Sequence, residues 1–339
     1  MAPASRSVVK ISLTPSYSIG RPIIRRQRHR ILRHRRQNAP DTIPTSVLSV
    51  ANFREHYFLP GRPLVIKFGH PQQLPATKNW FNFDPGLDAC VSRLRAFQQV
   101  QLPYELLYDP EDGAPRKFLS WLAGTRGYPS DLAAERLREV LPASEDRLSG
   151  PTMLRFHAEL SLLLLALDFN KVSDEPLTRL YIAQASIEDL PEGLARDVPT
   201  PDLVRAAGKG DIYGSSVWLG LEPTYTPFHR DPNPNLLCQI HGRKVVRMLP
   251  PGPGEQVFRE VQSRLGRQGN PRIRGMEMMD GEERTVFYDE LWRRRPPGTL
   301  EARLDPGQGL FIPLGWWHTV MSGSGHGGRL NGSVNWWFR

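Results

Sequence analysis

The stretch "TPFHRDPNPNLLCQIHGRKVVRMLPP" carries the residues with the clearest chemical potential. His229 and Asp231 stand one residue apart, just ahead of an apolar segment. An imidazole and a carboxylate are both metal ligands. In an extended strand, residues i and i+2 point to the same face, so the two side chains would project into one space. The pair alone is a weak signal, because a surface His–Asp hydrogen bond uses the same residues. His318 changes the reading. It follows the apolar segment "GLFIPLGWW" and is preceded directly by two tryptophans. Taken singly, such a histidine reads as a core residue with satisfied hydrogen bonds. With His229 and Asp231 it completes a two-His-one-carboxylate set. That set leaves one face of an octahedral metal open, as in non-haem Fe(II) oxygenases. Hydrolytic zinc sites use the same ligand types. The sequence has no HExxH, however, and no Glu or His obviously placed as a hydrolytic base.

These residues need a rigid frame. From Arg179 onward the segments "RLYIAQ", "SSVWLGL", "LLCQI", "KVVRML", "GLFIPL" and "SVNWWF" are short and rich in β-branched and aromatic residues, with Gly, Pro and Asn between them. That pattern predicts strands of a β-sandwich or barrel. Ahead of them, "SVANFREHYFLPGRPLVIKF" reads as a short helix, a turn and the strand "PLVIKF". Residues 86–170 read as mainly helical, since "DLAAERLREVL" and "TMLRFHAELSLLLLALDF" place apolar residues at helical spacing. A polar insertion over residues 252–300 is too long for a hairpin loop and is expected to cover one end of the barrel.

Four of these motifs, "RLYIAQ", "TPFHRDPNPNLLCQIHGRKVVRMLPP", "LFIPLGWWHTV" and "SVNWWF", stand in the order of the Jumonji C (cupin-like) Fe(II)/2-oxoglutarate oxygenases. The chain resembles that family from about residue 42 to its end. The likeness is greatest to the small-hydroxylase branch that includes the asparaginyl hydroxylase of hypoxia-inducible factor. The resemblance implies a double-stranded β-helix (jelly-roll) core, mainly β with α, buttressed by N-terminal helices over 41–178, with the core over 179–339. It implies that His229, Asp231 and His318 hold Fe(II), with 2-oxoglutarate and O2 as cosubstrates. Lys244, fifteen residues after His229, would pair with the distal carboxylate of 2-oxoglutarate, aided by the hydroxyls of Thr226 and Tyr181. Asn235 and Asn335 match amides near the metal end of the cosubstrate. A buried dicarboxylate needs such a cation, because a lone buried charge is costly. The branch implies hydroxylation of a protein side chain. Hydroxylation of a nucleic-acid base, demethylation of a methyl-lysine and a non-catalytic binding scaffold are the rival readings. Substrate choice is expected to lie in the insertion and in residues 86–170.

Composition bounds the rest. The 339 residues are 39% hydrophobic, enough for a sizeable core. No apolar run is long enough to span a bilayer, so no membrane role is expected. Two cysteines, Cys90 and Cys238, are too few for a disulfide scaffold, and an intracellular, reducing compartment fits them best. The net charge of +9 belongs to one end. Residues 1–40 hold ten arginines and lysines and no acid, which leaves 34 basic against 35 acidic residues in the body. An acid-free, Arg-rich and Ser-containing tail has the composition of a transit peptide, pointing to the mitochondrial matrix. "RPIIRRQRHRILRHRR" equally suits nuclear import or electrostatic contact with RNA, and a solvated tail without a dedicated role has the same composition. Oligomeric state is not encoded in any motif.

Overall fold

The short strand segments pair into two main sheets in the computed structural model, which describes residues 38–84, 87–90, 92–143, 150–269, 281–323 and 327–339. The basic tail up to residue 37 and residues 270–280 of the insertion lie outside the described residues. Fifteen strands are described: β1 (Asp41–Pro44), β2 (Leu64–Lys67), β3 (Asn82–Asp84), β4 (Leu87–Cys90), β5 (Gln101–Tyr108), β6 (Thr152–Glu159), β7 (Leu180–Ser186), β8 (Ile212–Leu221), β9 (Tyr225–Arg230), β10 (Asn235–His241), β11 (Lys244–Leu249), β12 (Leu300–Leu304), β13 (Gln308–Ile312), β14 (Trp317–Ser322) and β15 (Leu330–Phe338).

The last eight strands make the jelly roll. β13-β10-β15-β8 sit side by side in one sheet and β12-β11-β14-β9 in the other. Apart from β11 and β12, which are neighbours in the small sheet, successive strands alternate between the sheets, the double-stranded β-helix topology. The first sheet continues past β8 through β7, β5 and β6, and past β13 through β2 and β1, to nine strands in all. β3 and β4 form a separate pair.

Three layers of apolar packing follow from strand alternation. The outward residues of the large sheet, such as Leu219, Cys238, Val334 and Trp336, join the main core with Phe53, Phe118, Leu137 and the leucines of one helix. That core is roofed by helices α1 (Ala114–Thr125), α2 (Ser130–Val140) and α3 (Ser161–Asn170). Between the sheets, Leu237, Val246, Met248, Leu304, Leu310 and Ile312 fill one end of the sandwich. Behind the small sheet lie α4 (Pro251–Arg264) and α5 (Glu282–Tyr288), where Val257, Phe258 and Phe287 pack on Phe228 and Trp317. The described part of the insertion thus covers an outer sheet face, and not one end of the barrel as its length suggested.

The helical reading of 86–170 holds in part. "DLAAERLREVL" falls in α2, but "TMLRFHAE" is strand β6 and Gln101–Tyr108 is strand β5. The first half of "TMLRFHAELSLLLLALDF" pairs antiparallel with β5 over its whole length, and only the leucine run forms α3. With no turn residue between them, the two periods read as one. Cys238 is buried in the core, which pushes its thiol well above the usual range, as an inert thiol should be. Among the described residues, no helix is long and apolar enough to cross a membrane.

Candidate functional site

His229 and His318 lie directly opposite each other on neighbouring antiparallel strands, β9 and β14. Their ring centroids are 4.2 Å apart. Asp231 follows immediately after β9. His229 Nε2 stands 3.6 Å from one Asp231 carboxylate oxygen, and His318 Nε2 stands 3.6 Å from the other. One ligand atom from each residue falls within 4.8 Å of the other two.

The orientation of both rings is fixed from behind. His229 Nδ1 is 2.8 Å from the Pro227 carbonyl oxygen, and His318 Nδ1 is 3.4 Å from that of Trp316. A carbonyl can only accept, so each Nδ1 carries the proton and each Nε2 keeps its lone pair for a metal. Burial, then the nearby His229, pull the His318 pKa down to about 4, so the ring is a neutral ligand at physiological pH. Burial pushes Asp231 up, but His318, His229 and the Asn235 amide outweigh it and hold the carboxyl below the usual carboxylate range. Two imidazoles and a carboxylate converging from one side are the donor set of a facial three-ligand site. The residues present therefore fit the metal that the sequence implied.

Asn235 and Asn335 are buried between the sheets, and their amides are engaged with each other and with the triad. Asn235 Nδ2 donates to Asp231 Oδ2 at 2.8 Å, and Asn335 Nδ2 donates to Asn235 Oδ1 at 2.8 Å. The chain of amides runs from β15 through β10 to the carboxylate ligand. It orients that ligand and leaves Asp231 only part of its lone-pair capacity for a metal.

Lys244 sits on the same inner face, further along. In register, Met248 faces His318, Val246 faces Val320 and Lys244 faces Ser322. Lys244 is thus about 13 Å along the strand from the level of the metal ligands. The residue is 4% exposed, and its ammonium bonds to the Tyr181 hydroxyl at 3.3 Å and to the Ser333 hydroxyl. Among the described residues, no carboxylate lies within ion-pair distance of it. Burial lowers its pKa to about 7, against a supporting field from Glu222. A buried cation held by hydroxyls alone is a receptor for an anion.

Thr226 reaches this face through an irregularity. It is three residues from His229, and simple alternation would turn it outward. The β9–β14 register shifts between the His318 and Val320 pairs, so Val320 faces Thr226 while His318 faces His229. That bulge returns Thr226 to the inner side. Tyr181 lies opposite Gly220, and its ring occupies the space where a Cβ at 220 would stand, 1.8 Å from ring carbon Cδ2.

The structure brings all eight sequence-derived residues to one inner surface. It also shows two groups that the sequence reading passed over. Ser333, two residues before Asn335 on β15, shares its face and touches Lys244, and strand alternation in "SVNWWF" was the signal for it. Glu222 is buried, accepts from Asn331 Nδ2 at 2.7 Å, and has its pKa raised by burial. No motif marks it.

Comparison with known proteins agrees with this geometry. The family model of the cupin-like domain matches residues 50–339. Lysine-specific demethylase JMJ30 of Arabidopsis thaliana is 24% identical over 277 residues, 82% of this chain and 51% of that protein. JmjC domain-containing protein D of Dictyostelium discoideum is 28% identical over 194 residues, 51% of this chain and 40% of that one. Lysine-specific demethylase 8 of Xenopus tropicalis is 30% identical over 160 residues, 47% of this chain and 32% of that one. The chain spans about half the length, or less, of these relatives. With the family match covering the whole jelly roll and its ligand triad, the chain belongs to the cupin-like domain family, in its Jumonji C form.

Proposed function

We propose that this chain is an Fe(II)- and 2-oxoglutarate-dependent oxygenase that hydroxylates a protein side chain. One observation carries the reading: the His229–Asp231–His318 triad and the Lys244 ammonium, which among the described residues has no carboxylate at ion-pair distance, share one inner face, with Lys244 four residues along its strand from the His318 level. When bound, iron and 2-oxoglutarate supply the oxidising chemistry, in which O2 is consumed, succinate and CO2 leave, and one oxygen enters a substrate C–H bond. The chain's own residues do the rest. Three ligands hold the metal from one side. The Asn335–Asn235 relay keeps the Asp231 carboxylate turned toward it. Lys244, Tyr181 and Thr226 fix the far carboxylate of the cosubstrate, and the closed sandwich keeps water from that charge pair.

The test is 2-oxoglutarate decarboxylation with Fe(II), comparing wild type with Asp231→Ala. Loss of turnover by two or more orders of magnitude in the variant is expected, and equal rates would remove the proposal. Several relatives are named lysine-specific demethylases, which favours a second substrate reading, oxidation of an N-methyl group on lysine. Mass spectrometry of trapped products separates the two. Hydroxylation adds one oxygen, whereas demethylation removes a methyl group.

A further inference from the structure

The polar row on the inner face of β15 does not stop at the cosubstrate lysine. Asn335, Ser333 and Asn331 alternate along that strand and share one side of it. Asn335 serves the metal end, and Ser333 touches Lys244. Asn331 lies two residues further, about 7 Å along the strand. It is fully buried, and its amide is committed on every side. Its Nδ2 donates to Glu222 Oε1 at 2.7 Å and to the Arg243 carbonyl at 2.9 Å, while its Oδ1 accepts from Gln239 Nε2 at 3.1 Å. The Arg243 carbonyl belongs to the peptide bond that leads into Lys244. One amide therefore ties Glu222 to the backbone that carries the lysine.

Glu222 directly follows β8 and is 1% exposed. Its backbone is clamped on both sides: its amide donates to the Arg329 carbonyl at 2.8 Å, and its carbonyl accepts from the Gly328 amide at 2.7 Å. A buried carboxylate is costly unless positive charge and donors offset it. Burial raises the Glu222 pKa, and Asn331, Arg329 and Lys244 pull against it. The effect is mutual, because burial draws Lys244 down and the Glu222 charge opposes that. Yet the two groups stand beyond ion-pair distance. Among the described residues, two of the three ammonium N–H groups go to the Tyr181 and Ser333 hydroxyls, which leaves the third for a ligand. The other neighbours add little charge. Leu304 of β12 and Ser322 of β14 pair with Lys244, and the phenol of Tyr181 comes from β7. Arg243 turns to Asp305 at 2.7 Å, and His241 stacks on Phe81.

We propose that Glu222 is a positioning residue of the cosubstrate site: pinned by Asn331 short of contact, its carboxylate keeps Lys244 an ammonium in the empty site and leaves that cation to pair with the incoming dianion. The identity of the dianion rests on the oxygenase reading, whereas the coupling of Glu222 to Lys244 does not. The test follows Lys244 by NMR in the metal-free full chain with isotope-labelled lysine, the signal being assigned by its loss in Lys244→Met. Glu222→Gln keeps an acceptor for Asn331 and removes the charge. The Lys244 titration midpoint should fall by about one pH unit or more, as for a charge at this range in a poorly solvated interior. Affinity for 2-oxoglutarate, measured with Fe(II) in the absence of oxygen, should then begin to decline at a correspondingly lower pH. At the acid end of the profile the variant should bind at least as tightly as wild type, because a negative charge near the dianion is gone. A purely structural role for Glu222 predicts weaker binding at every pH, and that result, or an unmoved Lys244 midpoint, would overturn the proposal. Should Glu222→Gln fail to fold, the coupling is read in reverse. Lys244→Met should raise the titration of the Glu222 carboxyl by the same amount, since linkage is reciprocal, and no change would count against the proposal. A wild-type protein that does not bind 2-oxoglutarate would remove the oxygenase reading, while a shifted midpoint would still support the coupling.

Discussion

At the scale of residues, the site depends on how its ligands are held as much as on which they are. Asp231 receives a hydrogen bond from Asn235, which is itself held by Asn335. Asn235→Ala removes the donor that orients the carboxylate while leaving all three ligands in place. Metal affinity should fall about 10- to 100-fold, the usual cost of losing such a partner, and Asn335→Ala should cost less. Metal titration of the purified variants reads this directly. Lys244 gives a pH prediction. Its folded pKa of about 7 lies well below the ordinary lysine value. Above about pH 7 the free protein therefore loses the ammonium, while an unfolded chain keeps its proton up to about 10.4. Cosubstrate binding needs the charged form, so 2-oxoglutarate affinity should decline about tenfold per pH unit above 7, with proton uptake on binding. The same difference makes this group's contribution to apo stability rise with pH between about 7 and 10.4. Calorimetry in buffers of different ionisation enthalpy measures the uptake, and affinity that stays flat from pH 7 to 9 would show that Lys244 does not bind the dianion. The triad was legible in the sequence because the His-x-Asp pair and a histidine after a distant apolar segment make one ligand set, and Lys244 was legible only through the family resemblance of its motif. Glu222 was not, because its burial and its contact with Asn331 arise only when β8 and β15 pair.

At the scale of elements, two local departures from ideal strands set up the cosubstrate end. The bulge in the β9–β14 pairing brings Thr226 to the inner face, and Gly220 leaves space for the Tyr181 ring. A methyl group at 220 would collide with that ring, and both lie on paired strands that cannot easily separate. Gly220→Ala should therefore displace Tyr181, weaken 2-oxoglutarate binding at Lys244 and cost about 1–3 kcal/mol of stability through overpacking. Metal affinity should be unchanged, because the triad lies on other strands. A variant that loses metal and cosubstrate together would contradict this division of labour. Neither departure could be read from sequence. A bulge is visible only against a partner strand, and a strand glycine is informative only once its neighbour across the sheet is known. The strand at 152–159 was hidden for a related reason. Its alternation runs straight into the leucines of α3 with no Gly or Pro between, so one long helical period fitted both.

At the scale of the whole molecule, charge and chemistry occupy different parts of the chain. Both strands that bear histidine ligands are backed by the same aromatic cluster. Phe228 stacks on Trp317 at 5.1 Å, and Phe258 of α4 lies 4.9 Å from Trp317. Each of these strand aromatics is the immediate neighbour of a ligand, so the described insertion steadies the metal site from behind. The basic excess lies elsewhere. Residues 1–37 contain ten Arg and Lys and no acid, and without them 34 basic residues face 35 acidic ones. The described chain begins at Asn38, whose carbonyl accepts from the Glu301 amide at 2.8 Å, so a chain starting at residue 38 keeps that contact and the residues of every described strand. Deletion should leave metal affinity and melting temperature unchanged. Any affinity for RNA should fall by at least tenfold at low salt and lose its salt dependence, because that dependence counts the cations at the interface. The same deletion tests the targeting role proposed for the tail. A fusion carrying residues 1–40 should enter mitochondria and be shortened there, whereas an intact fusion in the nucleus would assign the segment to import or nucleic-acid contact. RNA affinity that survives deletion would instead place a binding face on the folded domain, whose near-neutral charge argues against one.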